Sequence, residues 1–174
     1  MPVITVSGLH GTGKTTAARA IAQRLGLRYV CSGDIFRRMA QERSMTLSEF
    51  SRYVEKHREV DLMIERRAAE EAKRGNVVID GRLSGWWVKH ADLRILLTAP
   101  VRVRVRRICK REKRRYGEVL RETLERERSE ARRFKRLYGI DVNDHSVFDL
   151  IMNTGRIPEG KMVDALEAAV RALL

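Results

Sequence analysis

The sequence predicts an α/β fold, a five-stranded parallel sheet with helices on both faces, and three observations carry that expectation. Short apolar runs alternate along the chain with stretches of helical spacing, the order that parallel strands joined by crossover helices produce. One run, Val77-Val78-Ile79, is continuous where a half-exposed strand would alternate, so it reads as buried on both faces. No repeat or low-complexity segment breaks the alternation, and 174 residues suit a single domain over 1–174 that buries its own core.

The first strand is the β-branched run Val3-Ile4-Thr5-Val6. It leads into Gly8-Leu9-His10-Gly11-Thr12-Gly13-Lys14-Thr15, a full match to the phosphate-loop pattern G-x-x-x-x-G-K-[ST]. An Ala-rich helix follows from Thr16 and stops at Gly26, so the motif stands between strand and helix as it must. Each residue type has a reason. Backbone N–H groups must converge on phosphate oxygens, and Gly8, Gly11 and Gly13 allow dihedrals and an approach that a Cβ would obstruct. The helix N-terminus adds partial positive charge. Lys14 is a mobile point charge for β- and γ-phosphates, the Thr15 hydroxyl can ligate Mg²⁺, and Thr16 can donate to an α-phosphate.

Leu27-Arg28-Tyr29-Val30-Cys31 reads as the second strand and runs into Ser32-Gly33-Asp34-Ile35-Phe36-Arg37, where a helix starts near Ser32 or Gly33. Ser32 is either a cap or, with Arg37, part of a second phosphate site. Thr46-Leu47-Ser48-Glu49 has capping-box form and opens a helical region through 56, continued over 59–74 and stopped by Gly75. The third strand ends at Asp80, at the carboxyl edge where parallel sheets bind ligands. The acid there can orient a metal's water or a substrate group, or merely cap a turn. Gly81 lets the chain turn, and Arg82 can fork onto a phosphate.

Leu93-Arg94-Ile95-Leu96-Leu97-Thr98 is the fourth strand, after a linker carrying Trp86 and Trp87. Residues 101–106 alternate as a strand would, but Pro100 suits a first helical position and Val101, Val105, Ile108 and Cys109 recur at helical spacing, so the segment is assigned as helix. The cationic stretch 110–117 is either a lid over a triphosphate or a solvated turn. Residues 118–137 form a helix with an apolar stripe of Leu120, Leu124, Ala131, Phe134 and Tyr138. Beside it Arg126, Glu130 and Arg133 gather on one strip, facing solvent or a polar cleft. The fifth strand is 148–154, and 158–174 is a closing helix with Met162, Leu166, Ala169, Val170 and Leu173 inward.

Composition narrows the function classes. No apolar run reaches the ~20 residues of a membrane span, and no signal-peptide pattern opens the chain, so a cytoplasmic protein without a membrane partner is expected. Cys31 and Cys109 lack metal-site spacing and read as free thiols. The net charge of +13 invites a nucleic-acid reading. Two other accounts weigh against it: a site for two polyphosphates needs many arginines, and 34% charged residues with only five side-chain amides fit a heat-adapted surface. Aromatic residues make up 6% of the chain and are not interleaved with the basic ones as base-stacking platforms require, so no nucleic-acid partner is expected.

Taken together, the phosphate loop, Ser32-Gly33-Asp34-Ile35-Phe36-Arg37, Asp80-Gly81-Arg82, the Arg126, Glu130, Arg133 spacing and Asp149-Leu150-Ile151-Met152-Asn153-Thr154 resemble nucleoside monophosphate kinases, most nearly archaeal-type cytidylate kinases, over nearly the whole length. The resemblance implies a P-loop NTPase-type sheet with a mobile monophosphate-binding helical region at about 33–75 and a lid at about 107–118. It implies ATP as donor, Mg²⁺ on Thr15 and Asp80, CMP or dCMP as acceptor, and a monomer. By the same resemblance, Gly8, Leu9, His10, Gly11, Thr12, Gly13, Lys14, Thr15 and Thr16 would hold ATP, with Arg107 and Arg111 from the lid helix. Ser32 would lie by the pyrimidine, Asp80 would face the acceptor, and Arg37, Arg82 and Arg133 would hold its phosphate. Arg126 and Glu130 would serve the sugar and bridging phosphates, and the catalytic set would be Lys14, Arg82, Arg126 and Arg133. Leu83 stands where bacterial cytidylate kinases carry an acid after the Asp-Gly-Arg triplet, and their extra inserted segment is absent. The competing readings are another small-acceptor kinase, adenylate or uridylate first, and an RNA-associated NTPase.

Overall fold

A central strand, β1 (Val3–Gly8), organises the computed structural model, which describes residues 1–174 apart from the side chains of Leu47, Ser48, Ser51 and Asp61. The sheet is parallel throughout in the order β2-β3-β1-β4-β5, with β2 Arg28–Cys31, β3 Val77–Asp80, β4 Leu93–Thr98 and β5 Leu150–Asn153. The helices are α1 (Lys14–Leu25), α2 (Ser32–Glu42), α3 (Leu47–Lys56), α4 (Arg58–Lys73), the single turn α5 (Ser84–Trp87), α6 (Val101–Glu112), α7 (Tyr116–Tyr138) and α8 (Glu159–Leu173). β1 is buried along its length because it is covered on both faces. Ile4, Val6, Val78, Ile95 and Leu97 pack with α1 and α8 on one face. The alternate residues Val3, Val77 and Ile79 pack with Ala68 and Ala72 of α4 on the other.

Strand order fixes where a ligand can bind. The chain reverses direction across the sheet at β1, between β3 and β4, and the loop 8–13 leaves β1 at that switch point. Val6 and Cys31 both pair with Asp80, so the acid stands at the carboxyl edge between β1 and β2. Two helical excursions carry small cores of their own. Met39, Ala40, Phe50, Val54, Val60 and Ile64 hold α2, α3 and α4 together, while Val105, Ile108 and Val119 join α6 to α7.

Several expectations need correction. The linker after β3 contains the short helix α5, whose Trp86 and Trp87 rings meet Phe148 and Tyr138 edge-on at 4.7 and 5.1 Å. The helical region after Thr46 divides as expected, into α3 and α4 on either side of His57, and its capping box is present. The fifth strand is shorter than 148–154, because Thr154 turns into a 3-10 helix to reach the phosphate loop. In α8, Val163 is inward and Leu173 is 59% exposed, since the last turn runs past the sheet. Of the expected stripe on α7 only Phe134 is fully buried, with Leu120, Leu124, Ala131 and Tyr138 half-buried and Leu120 packed on the α6–α7 core, while Val119, Thr123 and Glu130 are buried besides. Glu130 is buried through three cationic or hydrogen-bonding partners described below.

Gly85 lets α5 lie directly on the Phe148 ring: a Cβ there would stand 2.3 Å from the ring edge. Gly85→Ala is therefore expected to destabilise the fold by about 1 to 3 kcal/mol through overpacking. Thermal unfolding checks this, and wild-type stability would show that the ring moves aside freely.

Candidate active site

The phosphate loop is held from behind. Arg82 Nη1 donates to the Gly8 carbonyl at 3.2 Å, and Thr12 Oγ1 to the Leu9 carbonyl at 2.8 Å. Arg104 Nη1 donates to the His10 carbonyl at 3.0 Å, and Arg107 Nη1 to that of Gly11 at 3.3 Å. Thr154 Oγ1 donates to the Thr12 carbonyl at 2.7 Å, and the Ala17 amide to that of Gly13 at 3.0 Å. Every carbonyl from 8 to 13 thus has a protein donor. In a planar trans peptide the carbonyl and the following N–H point in opposite directions, so tying the carbonyls back turns the amides away from these donors and towards the cleft, apart from the Thr12 amide, which donates to the Leu9 carbonyl at 3.4 Å. Gly11 and Gly13 adopt φ of +80° and +91°, a region that favours glycine, and both turns are needed for this arrangement.

At the inner rim stand Lys14, Thr15 and Asp80. The Lys14 ammonium has no hydrogen-bond acceptor among the described residues, and burial pulls its pKa below the ordinary value while Asp80 opposes. A crowded cation lacking an acceptor suits a phosphate oxygen. Asp80 is 1% exposed, and its Oδ2 accepts from Thr15 Oγ1 at 2.6 Å and from the Tyr29 hydroxyl at 3.0 Å. Burial, then the Asp80 charge, raises the pKa of both Tyr29 and Cys31, so these neighbours stay neutral. A hydroxyl and a carboxylate in contact are hard oxygen donors, as Mg²⁺ prefers.

On the opposite side a buried carboxylate gathers the cations. Glu130 accepts from Arg82 Nε at 2.9 Å and from Arg126 Nε at 3.0 Å, and the His10 ring lies at 3.3 Å. Burial alone would raise the Glu130 carboxyl, but Arg82, His10 and Arg126 outweigh it and hold the group well below the usual carboxylate range. Arg82 Nη2 and Ser32 Oγ are buried without a hydrogen-bond partner among the described residues. Gly81 permits this approach, since a Cβ there would lie 2.7 Å from Ser32 Oγ. Of the strip on α7, Glu130 is thus turned into this polar site, Arg126 is 59% exposed beside it, and Arg133 stacks its guanidinium 5.3 Å from the Phe134 ring centre.

Three further expected arginines already have protein partners in the free protein. Arg37 pairs with Asp34 and is 55% exposed, with its guanidinium folded over Gly33. Arg111 pairs with Glu112 and lines one surface pocket with His10 of the loop and Arg126. Arg107 is turned to the loop's carbonyl side and to Thr154, which fixes the first turn of the expected lid, and the exposed stretch begins only at 110. The sequence reading missed Arg104, Glu127, Tyr29 and Thr154. For Arg104 a signal was present: it lies one helical turn before Ile108, on the face that Val105 and Ile108 bury.

His10 makes the site sensitive to acid. Burial depresses its pKa from 6.5 to about 4, with the Glu130 hydrogen bond opposing. The unfolded chain takes up this proton first, so stability is full above pH 6.5 and is lost as pH falls towards 4. His10→Gln is expected to flatten the fall in melting temperature between pH 6.5 and 4. An unchanged slope would place the acid sensitivity elsewhere.

Comparison with known proteins gives a consistent picture. A family model described as the cytidylate kinase-like family matches residues 3–156. A protein named cytidylate kinase from Pyrococcus horikoshii is 53% identical over 91% of this chain and 83% of its own length. Another, from Archaeoglobus fulgidus, is 43% identical over 96% of this chain and 93% of its own. Among solved structures, a shikimate kinase from Bacteroides thetaiotaomicron superposes with a TM-score of 0.65 at 17% identity, covering 98% of both chains. A gluconokinase from Sinorhizobium meliloti does so with a TM-score of 0.60 at 16% identity, covering 99% of this chain and 93% of its own. At such identity the structural likeness speaks for the fold alone.

Proposed function

Because the chain belongs to the cytidylate kinase-like family, we propose that it transfers the γ-phosphoryl group of ATP to CMP or dCMP, giving ADP and CDP or dCDP. The observation that carries the site assignment is the pair of buried donors lacking partners among the described residues, Arg82 Nη2 and Ser32 Oγ, at the carboxyl edge of the sheet beside the phosphate loop. A loop with inward amides supplies a donor site, and these two groups supply an acceptor site for a phosphate and a base.

The acceptor phosphate is an anionic nucleophile near neutral pH, so no general base is required. Catalysis is then positioning and charge neutralisation of a loose, in-line transfer. Lys14 balances charge on the donor phosphates, Arg82 and Arg133 orient the acceptor phosphate, and Arg126 lies where the two nucleotides meet. Glu130 accepts a sugar hydroxyl, while in the free protein it keeps Arg82 and Arg126 in place. Thr15 and Asp80 would hold Mg²⁺, which when bound neutralises charge on the donor. Closure of 33–75, with its own small core, and of the exposed part of 107–118 would exclude water that otherwise competes as acceptor. In this reading the enzyme works as a monomer on free nucleotides in the cytoplasm.

Coupled measurement of ADP release across CMP, dCMP, AMP, UMP, GMP and shikimate tests the proposal. CMP or dCMP should give the highest kcat/KM. A preference for AMP or UMP would make the protein a different monophosphate kinase, and RNA-stimulated ATP turnover without transfer would favour a nucleic-acid role.

A further inference from the structure

Arg104 is buried, with 5% of its side chain exposed, in a helix whose neighbouring arginines Arg102 and Arg106 face solvent. Its guanidinium spends its donors on three elements at once. Nε donates to the Ala99 carbonyl at 3.0 Å, at the exit of β4. Nη1 donates to the His10 carbonyl at 3.0 Å, and both terminal nitrogens fork onto Glu127 of α7, Nη2 at 3.3 Å. α6 also packs its backbone on the loop here, since a Cβ at Gly11 would stand 2.7 Å from the Arg104 carbonyl oxygen.

We infer that Arg104, held by Glu127, is a positioning residue of the donor site: it fixes the peptide between His10 and Gly11 so that the Gly11 amide faces the phosphates. The peptide is planar, so anchoring its carbonyl oxygen outward determines the direction of its N–H. A cation on the oxygen also polarises the peptide and strengthens the amide as a donor. Glu127 keeps the guanidinium from rotating and offsets its charge, so the loop gains an oriented donor without a second free cation beside Lys14. The inference rests on the proposed binding of ATP at this loop.

Arg104 joins three elements, so its simple removal also strips Glu127 of its partner and lowers stability. The double variant Arg104→Met/Glu127→Met separates the two effects, because a buried ion pair replaced by apolar side chains of similar volume is often tolerated. Calorimetric titration should show its Kd for ATP raised about tenfold, the loss of one charge-assisted hydrogen bond, with the Kd for CMP within about twofold of wild type. Arg104→Lys, a point charge that cannot hold all three acceptors, should weaken ATP binding severalfold and leave CMP binding unchanged. Unchanged ATP affinity in either folded variant, or equal weakening of ATP and CMP, overturns the inference and leaves Arg104 a packing residue. Lys14→Ala measured alongside distinguishes the two readings. If it weakens ATP binding while the Arg104 variants do not, only this inference falls, whereas unchanged binding in all of them removes the donor-site assignment as well.

Discussion

Lys14→Ala is expected to lower phosphoryl transfer by roughly 10³-fold or more while leaving the protein folded, by the scale at which phosphate-clamping cations act. Lys14 opens α1 directly after Gly13, and its ammonium stands at the cleft with no hydrogen-bond acceptor among the described residues. Burial of that ammonium is unfavourable in the free protein, and a phosphate oxygen relieves it. The interaction is strongest when negative charge shifts between donor and acceptor, so the loss should appear chiefly in kcat. Stability should change little, because Lys14 holds nothing else in place. Single-turnover kinetics on a variant with wild-type melting temperature checks this, and wild-type turnover there would remove the loop from the chemistry.

How much of this was legible in the residues depends on whether a pattern was apolar or polar. All five strands follow from apolar runs, and the continuous run before Asp80 correctly announced a strand covered on both faces. The helix from Val101 was recoverable because Pro100 and the i, i+4 recurrence outweighed two-residue alternation. The misses are polar groups that the fold buries in partnership. Glu130 sits on the inward face of α7 because three partners outweigh its desolvation, and hydrophobic periodicity cannot register that compensation. Arg104 carried a positional signal on the buried face of α6, but the partners that make its burial tolerable, Glu127 and the Ala99 and His10 carbonyls, come together only in the fold. For Arg37, expected from its spacing to Ser32, and Arg111, expected from the family resemblance, a local acid, Asp34 or Glu112, is the partner in the free protein. The candidate site was thus readable as a set of residue types along the strand edge, and its network of pairings was not.

That network sets the second large effect. Arg82 spends Nε on Glu130 and Nη1 on the Gly8 carbonyl, and it keeps Nη2 buried without a partner. An acceptor phosphate that met this edge would form a charge-assisted pair in a site of low polarity, so Arg82→Ala should raise KM for CMP by about tenfold or more and also lower kcat. ATP affinity should shift by no more than about threefold, because the 3.2 Å contact to Gly8 touches only the entrance of the loop. Glu130→Ala separates recognition of the sugar from recognition of the phosphate. Loss of its carboxylate frees both Arg82 and Arg126, so KM should rise for CMP and dCMP alike. The ratio between the two substrates should move as well, because removing a hydroxyl acceptor penalises only the substrate that carries the hydroxyl. Steady-state kinetics with both acceptors and ATP titrations of both variants decide the matter. Equal weakening of ATP and CMP in Arg82→Ala would assign that arginine to the donor side, and an unchanged CMP to dCMP ratio in Glu130→Ala would leave Glu130 as a holder of cations that never meets the sugar.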